Sequence, residues 1–220
     1  MKARLTIAMD GPAGSGKSTI AQRLAEELDY LYLNSGSMYR AMTLLSIREG
    51  GDPTDVPTLT QLAKNCRIDF SSNGKTTLLD GEDVSDALRT PEIDRAIADI
   101  AKIPEVRREM VRQQRRIGKN GGIIVEGRDV TTVVFPDADL KFYISASVEE
   151  RAKRRFTEQK AQSIETTLEQ VEQEIRERDQ MDESREHSPL RTAADAIVLD
   201  TTSMTVNQAV EFVLNRVKEG

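Results

Sequence analysis

The residues with the clearest chemical meaning are glycines, a lysine and a serine close to the N-terminus. The segment GPAGSGKST, residues 11–19, matches the phosphate-loop pattern, in which two glycines flank four residues ahead of Lys and Ser/Thr. Because glycine adopts backbone angles that other residues avoid, successive N–H groups of such a loop turn inward around phosphate oxygens. Lys17 is expected to reach the β- and γ-phosphates of a nucleotide, and the Ser18 hydroxyl is expected to bind Mg²⁺. The predicted site contains Gly11, Pro12, Ala13, Gly14, Ser15, Gly16, Lys17, Ser18 and Thr19.

A second group of candidate residues follows an apolar run in the middle of the chain. Residues 123–125, Ile-Ile-Val, lead into Glu126, and Arg128 and Asp129 come next. An acid at the end of such a strand holds Mg²⁺ or its water ligands in nucleotide-binding sheets. A carboxylate that accepts hydrogen bonds from local backbone amides explains Glu126 equally well. Arg128 and Asp129 add a cation and an acceptor beside it.

Arginines on predicted helices form three further candidate clusters. Arg107 lies on the border of the apolar stripe of Met110 and Val111, so it is expected to point along the surface into a cleft. The other two clusters are Arg151, Arg154 and Arg155, and Arg178, Asp182 and Arg185. Each shares one face of a helix, the last if the helix extends that far. Phosphate binding by arginine planes is one reading of both; a solvated face and a surface salt-bridge ladder are the others.

The elements that position these residues alternate along the chain. Apolar runs at residues 5–9, 31–33, 123–125, 140–144 and 196–199 predict five strands. Helical patterns follow them, among them one ended by Gly50-Gly51-Asp52-Pro53 and a last one whose Val206, Val210, Phe212, Val213 and Val217 are predicted to face inward. This alternation predicts a doubly wound, five-stranded parallel sheet of an α/β fold, with ligands at the carboxyl ends of the strands.

One region departs from the alternation. After a short helix with Leu59 and Ala63, two segments flank Ser72-Asn73-Gly74, which is a hairpin signal, and residues 82–84 offer a third strand. The region predicts a small antiparallel insertion on the parallel core.

The composition excludes several classes of protein. The 220 residues suit one compact domain, and the net charge of −6 argues against a nucleic-acid-binding protein. A single histidine, His187, expected in a turn, excludes mechanisms that need a histidine pair. The single cysteine, Cys66, cannot form an internal disulfide and fits a reducing cytosol. No apolar run approaches the length of a membrane span, and the N-terminus leads straight into a strand, so neither a membrane contact nor a signal peptide is predicted.

Taken together, these motifs resemble the bacterial cytidylate (CMP/dCMP) kinase family over nearly the whole chain. The resemblance is carried by MDGPAGSGKST (residues 9–19), LNSGSMYR (33–40), DGEDVSDALRTPE (80–92), IPEVR (103–107), EGRDVTTVVFPDADLKFYISAS (126–147), EERAKRR (149–155) and ERDQMDESREHSPL (177–190). It implies one kinase domain, residues 1–220, with a phosphate-loop core. It also implies a monophosphate-binding insertion at residues 56–98 and an arginine-rich helical lid at residues 151–187.

The resemblance also implies roles for individual residues. Residues 11–19 would bind the phosphates of ATP, with Mg²⁺ at Ser18 and Glu126. The acceptor, CMP or dCMP, would be held by Ser35, Arg40, Arg128 and Arg185, its cytosine read by Arg107 and Asp129, and its sugar met by Arg178 and Asp182. Lys17, Arg128, Arg151, Arg154 and Arg185 would stabilise the transferring phosphoryl group. A cytoplasmic monomer that acts on small-molecule nucleotides is expected.

Three positions differ from the family pattern. Ala98 occupies a position where the family often has serine, Glu126 one where aspartate is common, and Thr131 one where glycine is usual. Threonine would fit poorly at position 131 if that residue needed a positive φ. The residues alone leave two rival functions open. One is that of another small-molecule kinase, such as a uridylate or adenylate kinase, and the other is that of a GTPase-type switch. The switch would need an Asn-Lys-x-Asp guanine signature, which the sequence lacks.

Overall fold

The computed structural model describes residues 4–52, 54–161 and 163–219. Pro53, predicted to help end a helix, lies outside the described residues. So do residues 1–3, which precede the first predicted strand, Gln162 of the predicted lid, and Gly220.

The structure contains a five-stranded parallel sheet, as the sequence predicts. Its strands lie in the order β2-β6-β1-β7-β8. They are β1 (Thr6–Asp10), β2 (Leu31–Asn34), β6 (Ile123–Gly127), β7 (Leu140–Ser145) and β8 (Ile197–Asp200). In the parallel register of β1 and β7, Asp10 pairs with Tyr143, and in that of β7 and β8, Ser145 pairs with Asp200. The carboxyl ends of these three strands therefore meet at one edge of the sheet.

The predicted insertion is a separate antiparallel sheet. It contains β3 (Ile68–Phe70), β4 (Thr77–Leu79) and β5 (Glu82–Asp83), in that order. The turn at Ser72-Asn73-Gly74 is confirmed: the Gly74 amide donates to the Ser71 carbonyl at 2.8 Å. Gly74 has a φ of 72°, and a Cβ there would lie 2.0 Å from the Tyr32 carbonyl oxygen, so the turn requires glycine.

Eight α-helices in the described residues connect and flank these strands. They are α1 (Lys17–Leu28), α2 (Ser35–Arg48), α3 (Val56–Asn65), α4 (Pro91–Ala101), α5 (Pro104–Gly118), α6 (Val148–Ala161), α7 (Leu168–Glu183) and α8 (Val206–Glu219). A 3₁₀ turn spans Ser85–Leu88 and a π-helical turn spans Val130–Val134. None of the described helices combines the length and the apolar character that crossing a bilayer requires.

Two helix predictions needed correction. Helix α2 begins at Ser35 rather than near Met38, because the Asn34 side chain caps it by accepting from the Ser37 amide at 3.0 Å. Val206 was predicted to face inward but is 41% exposed, whereas Ala209 is buried. Val206 is the first residue of α8, and helical side chains tilt toward the N-terminus, so its side chain projects beyond the helix start.

The chain divides into two compact units. The hairpin unit comprises Ala25–Val125 together with the N-terminal residues up to Thr6, and it contains α2 to α5 and the antiparallel sheet. The phosphate-loop unit comprises Ile7–Leu24 together with the chain from Glu126 onward. In that unit α6 and α7 pack through Ala152, Val171 and Ile175.

Candidate active site

The predicted phosphate loop connects β1 to α1. Gly11, Gly14 and Gly16 have φ values of 151°, 75° and 87°, which side chains rarely adopt. A Cβ on Gly11 would lie 2.0 Å from the Ile144 carbonyl oxygen on β7. The loop therefore packs against the neighbouring strand so closely that only glycine fits at its first position.

Lys17 occupies the first position of α1, and its side chain is turned into the protein. The side chain is 5% exposed, and its Nζ donates to the Pro12 carbonyl at 2.9 Å. Burial, together with the positive charge of Arg128, lowers the pKa of Lys17 to about 7. A negatively charged ligand in the loop would restore the preference for the charged amine.

Ser18 and Glu126 are in direct contact, although 108 residues separate them in the chain. The Ser18 Oγ donates to the Glu126 Oε1 at 2.7 Å, and Glu126 is 4% exposed at the end of β6. A hydroxyl and a carboxylate are the hard oxygen donors that Mg²⁺ prefers. No group of three or more His, Cys, Asp or Glu side chains that could hold a metal occurs in the described part of the chain. This two-oxygen set fits Mg²⁺, which usually takes its other ligands from phosphates and water.

Asp10 was not predicted as a site residue, yet it organises the backbone next to Glu126. Its buried carboxylate accepts hydrogen bonds from the Val130 amide at 2.9 Å, the Thr131 amide at 2.7 Å and the Thr131 Oγ1 at 2.6 Å. Desolvation by burial raises the pKa of Asp10 despite these donors. Thr131 is not among the residues with positive φ, so threonine is compatible with this position.

Asp182 collects three of the predicted arginines around one buried carboxylate. Arg128 donates to it through Nε at 2.7 Å, Arg178 lies 3.4 Å away, and Arg185 also donates to it. Helix α7 ends at Glu183, so Arg185 reaches the carboxylate from beyond the helix. Burial raises the pKa of Asp182, but the three positive charges outweigh it and hold the pKa below its ordinary value. The remaining strand-end residue, Asp129, is buried, and its carbonyl accepts from the Val133 amide.

Arg151 and Arg154 of α6 contact the outside of the phosphate loop. Arg151 is 4% exposed, and its Nη1 donates to the Ala13 carbonyl at 3.1 Å. Asp179 of α7, which sequence reasoning missed, holds the Arg151 guanidinium with both oxygens, at 3.1 and 2.7 Å. Arg154 donates to the Thr201 carbonyl at 2.7 Å and to Glu150 at 2.9 Å.

Three predicted acceptor-site residues lie in the hairpin unit. Ser35 is buried at the start of α2, where the strand-to-helix junction positions it. Arg40 of the same helix donates to Asp94 at 2.6 Å and to the Leu88 carbonyl at 3.0 Å. Arg107 was expected to point into a cleft, but it is 5% exposed and lies over the Tyr39 ring, with its Nη1 3.0 Å from the Ala101 carbonyl.

The structure thus joins the predicted residues into three contact groups. They are Ser18 with Glu126; Arg128, Arg178 and Arg185 with Asp182; and Arg151 and Arg154 with the loop carbonyls. Arg155 instead pairs with Glu158 on the exposed face of α6, and His187 is exposed in a bend, as expected of a turn residue. Asp10 and Asp179 were missed because only the bonds of a folded chain set them apart from other acids.

Comparison with known proteins identifies the family. The sequence model of the family described as "Cytidylate kinase" matches residues 7–219 of this chain. A cytidylate kinase of Geobacillus kaustophilus (strain HTA426) is 43% identical over 221 residues, which cover 100% of this chain and 99% of that protein. A cytidylate kinase of Bacillus cereus (strain B4264) is 42% identical and covers 98% of this chain and 96% of its own length.

Solved structures support the fold alone. An uncharacterized protein from Eubacterium ventriosum superposes with a TM-score of 0.54 at 14% identity, covering 99% of this chain and 100% of that one. A shikimate kinase from Acinetobacter baumannii superposes with a TM-score of 0.50 at 14% identity, covering 99% and 95%. With the full-length sequence matches, the phosphate loop and the parallel sheet, these findings show that the chain belongs to the cytidylate kinase family.

Proposed function

We propose that the protein transfers the γ-phosphoryl group of ATP to CMP or dCMP, giving CDP or dCDP, with Mg²⁺ bound to the donor nucleotide. The proposal rests on membership of the cytidylate kinase family and on one observation in the phosphate-loop unit. There, the buried Lys17 and the contact of Ser18 with Glu126 follow directly on a loop with three positive-φ glycines.

This arrangement supports the donor half of the proposed reaction. The loop amides and Lys17 would bind the phosphates of ATP and stabilise the charge that develops on the β–γ bridging oxygen. Ser18 and Glu126 would hold Mg²⁺, which neutralises phosphate charge when bound. No general base is required, because the attacking oxygen of the acceptor belongs to a phosphate that is already ionised.

The acceptor half rests on residues with suitable chemistry in each unit. Ser35 and Arg40 would bind the acceptor phosphate together with Arg128 and Arg185, whose planar guanidinium groups match phosphate oxygens. For these arginines to bind phosphate, the Asp182 carboxylate must share them with the ligand, so the ligand charge replaces part of an existing ion pair.

Recognition of cytosine would come from Arg107 and Asp129. A carboxylate acceptor suits the amino group of cytosine, which uracil lacks, and a buried mismatch is penalised. Arg178 and Asp182 would meet the sugar. Arg151, Arg154 and Arg185 would stabilise the transferring group, with residues 151–187 as the lid and residues 56–98 as the monophosphate-binding insertion. A monomer in the cytoplasm, acting in pyrimidine metabolism, completes the proposal.

The test is an ADP-release assay with ATP and Mg²⁺ and five acceptors, CMP, dCMP, UMP, AMP and GMP. We expect CMP or dCMP to give the highest kcat/KM, by about 100-fold over AMP and GMP, because the unsuited bases leave buried polar groups unpaired. Faster turnover of AMP or UMP than of CMP would overturn the proposed substrate.

A further inference from the structure

The phosphate loop is held from outside by side chains that bind its carbonyl oxygens. Thr201, the residue after β8, places its Oγ1 2.9 Å from the Ser15 carbonyl oxygen and 3.0 Å from that of Ser145. The Thr201 amide donates to the same Ser145 carbonyl at 2.8 Å. Arg154 completes the arrangement, with Nη2 2.7 Å from the Thr201 carbonyl and Nη1 3.2 Å from the Thr201 hydroxyl oxygen.

This contact has a consequence for the other side of the loop. In a trans peptide unit the carbonyl oxygen and the N–H of the next residue lie in one plane and point in opposite directions. When the Ser15 carbonyl is fixed toward Thr201, the Gly16 N–H is therefore fixed away from it. The same holds two residues earlier, where Arg151 binds the Ala13 carbonyl at 3.1 Å and so orients the Gly14 N–H.

A fixed carbonyl matters because glycines on both sides make the loop adaptable. Gly14 and Gly16 flank Ser15, and both have positive φ, so their peptide planes rotate at little steric cost. Amide donors bind phosphates most strongly when they are preorganised and need no reorientation. Thr201 is 3% exposed and Ser15 is fully buried, so water does not compete freely for this hydrogen bond.

We propose that Thr201 is a positioning residue for ATP: its hydroxyl, supported by Arg154, holds the Ser15 carbonyl so that the Gly16 amide faces the donor phosphates. In this role Thr201 acts through the loop backbone, since its hydroxyl lies against the Ser15 and Ser145 carbonyl oxygens. The inference rests on the proposed function, because it explains how the donor site of that reaction is preorganised.

The test compares two substitutions at this position. Thr201→Val keeps the side-chain shape and removes the hydroxyl, and Thr201→Ser keeps the hydroxyl. For Thr201→Val we expect KM for ATP to rise about tenfold, the loss of roughly one well-formed buried hydrogen bond, while KM for CMP stays within about twofold. Thr201→Ser should recover KM for ATP to within about threefold. Thr157→Val is the matched control, since that exposed hydroxyl bonds only within α6, to the Lys153 carbonyl.

The outcomes separate positioning from a general structural role. A rise confined to ATP, reversed by serine, supports the proposal. An unchanged KM for ATP in Thr201→Val, or equal rises for ATP and CMP, overturns it, whatever the melting temperature shows. Titration calorimetry with ATP alone gives the same comparison without an acceptor, so the role of Thr201 is tested even if none of the five monophosphates is phosphorylated.

Discussion

Three charged residues of the phosphate-loop unit and Arg40 of the hairpin unit are held in different ways. In the phosphate-loop unit, Lys17, Arg151 and Asp182 are at most 5% exposed, and each is bonded to another group of the protein. In the hairpin unit, the Arg40 side chain is 30% exposed and its partner Asp94 is 51% exposed. The other two predicted site residues of the hairpin unit, Ser35 and Arg107, are buried, so the contrast concerns Arg40.

Buried and half-exposed charges are expected to respond differently to substitution. A buried, fully bonded charge has lost its water, so its position is fixed and its removal changes both folding and binding. A half-exposed ion pair contributes little to the free energy of folding, because solvent screens the two charges and because holding both side chains in one geometry costs conformational entropy. Substitution of a buried charge such as Lys17 or Asp182 should therefore affect stability and activity together, whereas substitution of the half-exposed Arg40 should affect binding alone.

The largest expected effect comes from Lys17→Met. Turnover should fall at least about 1000-fold, because the charge on the β–γ bridge loses its buried cation. The melting temperature should rise by at least about 2 °C at pH 7, because the pKa of Lys17, about 7, lies below its ordinary 10.5 and burial of this amine opposes folding. Steady-state kinetics measures the turnover and thermal denaturation measures the melting temperature. Lys153→Met, on the exposed face of α6, is the control. A variant that keeps its turnover would refute the donor site.

Asp182→Asn should give the largest loss of stability. It leaves Arg128, Arg178 and Arg185 without their shared carboxylate, and breaking a buried pair in this way costs about 3 kcal/mol. Denaturant unfolding measures the change, with Glu174→Gln, exposed on the same helix, as the control.

The stability difference should also depend on pH. Because the folded pKa of Asp182 lies below its ordinary 3.8, the carboxylate stabilises the fold above about that pH and loses the contribution as the pH falls further. The gap between the protein and Asp182→Asn should narrow below pH 4. A gap of less than about 1 kcal/mol at pH 7 would contradict the distinction between buried and half-exposed charges.

Arg40→Met tests the exposed side of the comparison. KM for CMP should rise about thirtyfold through loss of a charged phosphate contact, KM for ATP should stay unchanged, and the melting temperature should move by less than about 2 °C. Arg48→Met is a close control, because Arg48 lies on the same helix and pairs with Glu82 at similar exposure, 40% and 58%. If both variants behave alike, Arg40 has no special part in acceptor binding.

The smallest expected effect is a dependence of ATP binding on pH. Bound phosphates favour protonated Lys17, so above pH 7 binding should take up a proton and the Kd for ATP should rise by at most about tenfold per pH unit. Calorimetry at pH 8 in two buffers of different ionisation enthalpy measures the uptake. Lys17→Met, titrated at higher concentration, should lack this proton uptake. Equal uptake by both proteins would show that a group other than Lys17 takes up the proton.

Much of the fold was predictable from local patterns. Apolar runs predicted the five strands, and the Ser72-Asn73-Gly74 turn predicted the antiparallel sheet, because the constraints act over a few residues. The errors lie at element ends, as at Ser35 and Val206, where a cap or the end of a helix overrides the periodic pattern.

The candidate site was predictable by residue type and less so by partner. The sequence marked several arginines as candidates for phosphate binding, but it did not indicate that Arg151 binds Asp179 and a loop carbonyl. Exposure was equally hidden: Arg107 sits on the border of an apolar stripe and is buried all the same. Asp10 is set apart by its hydrogen bonds from Val130 and Thr131, which lie 120 and 121 residues away.

The sequence by itself determined the phosphate loop, because glycine spacing and the residues at the start of α1 act within one short segment. It also determined the alternation of strands and helices, since side-chain periodicity is local. Only the tertiary structure decided which groups meet. The Ser15 carbonyl meets the Thr201 hydroxyl across 186 residues, and Ser18 meets Glu126 across 108. Such pairings depend on strand order and burial, which exist only once the chain has folded.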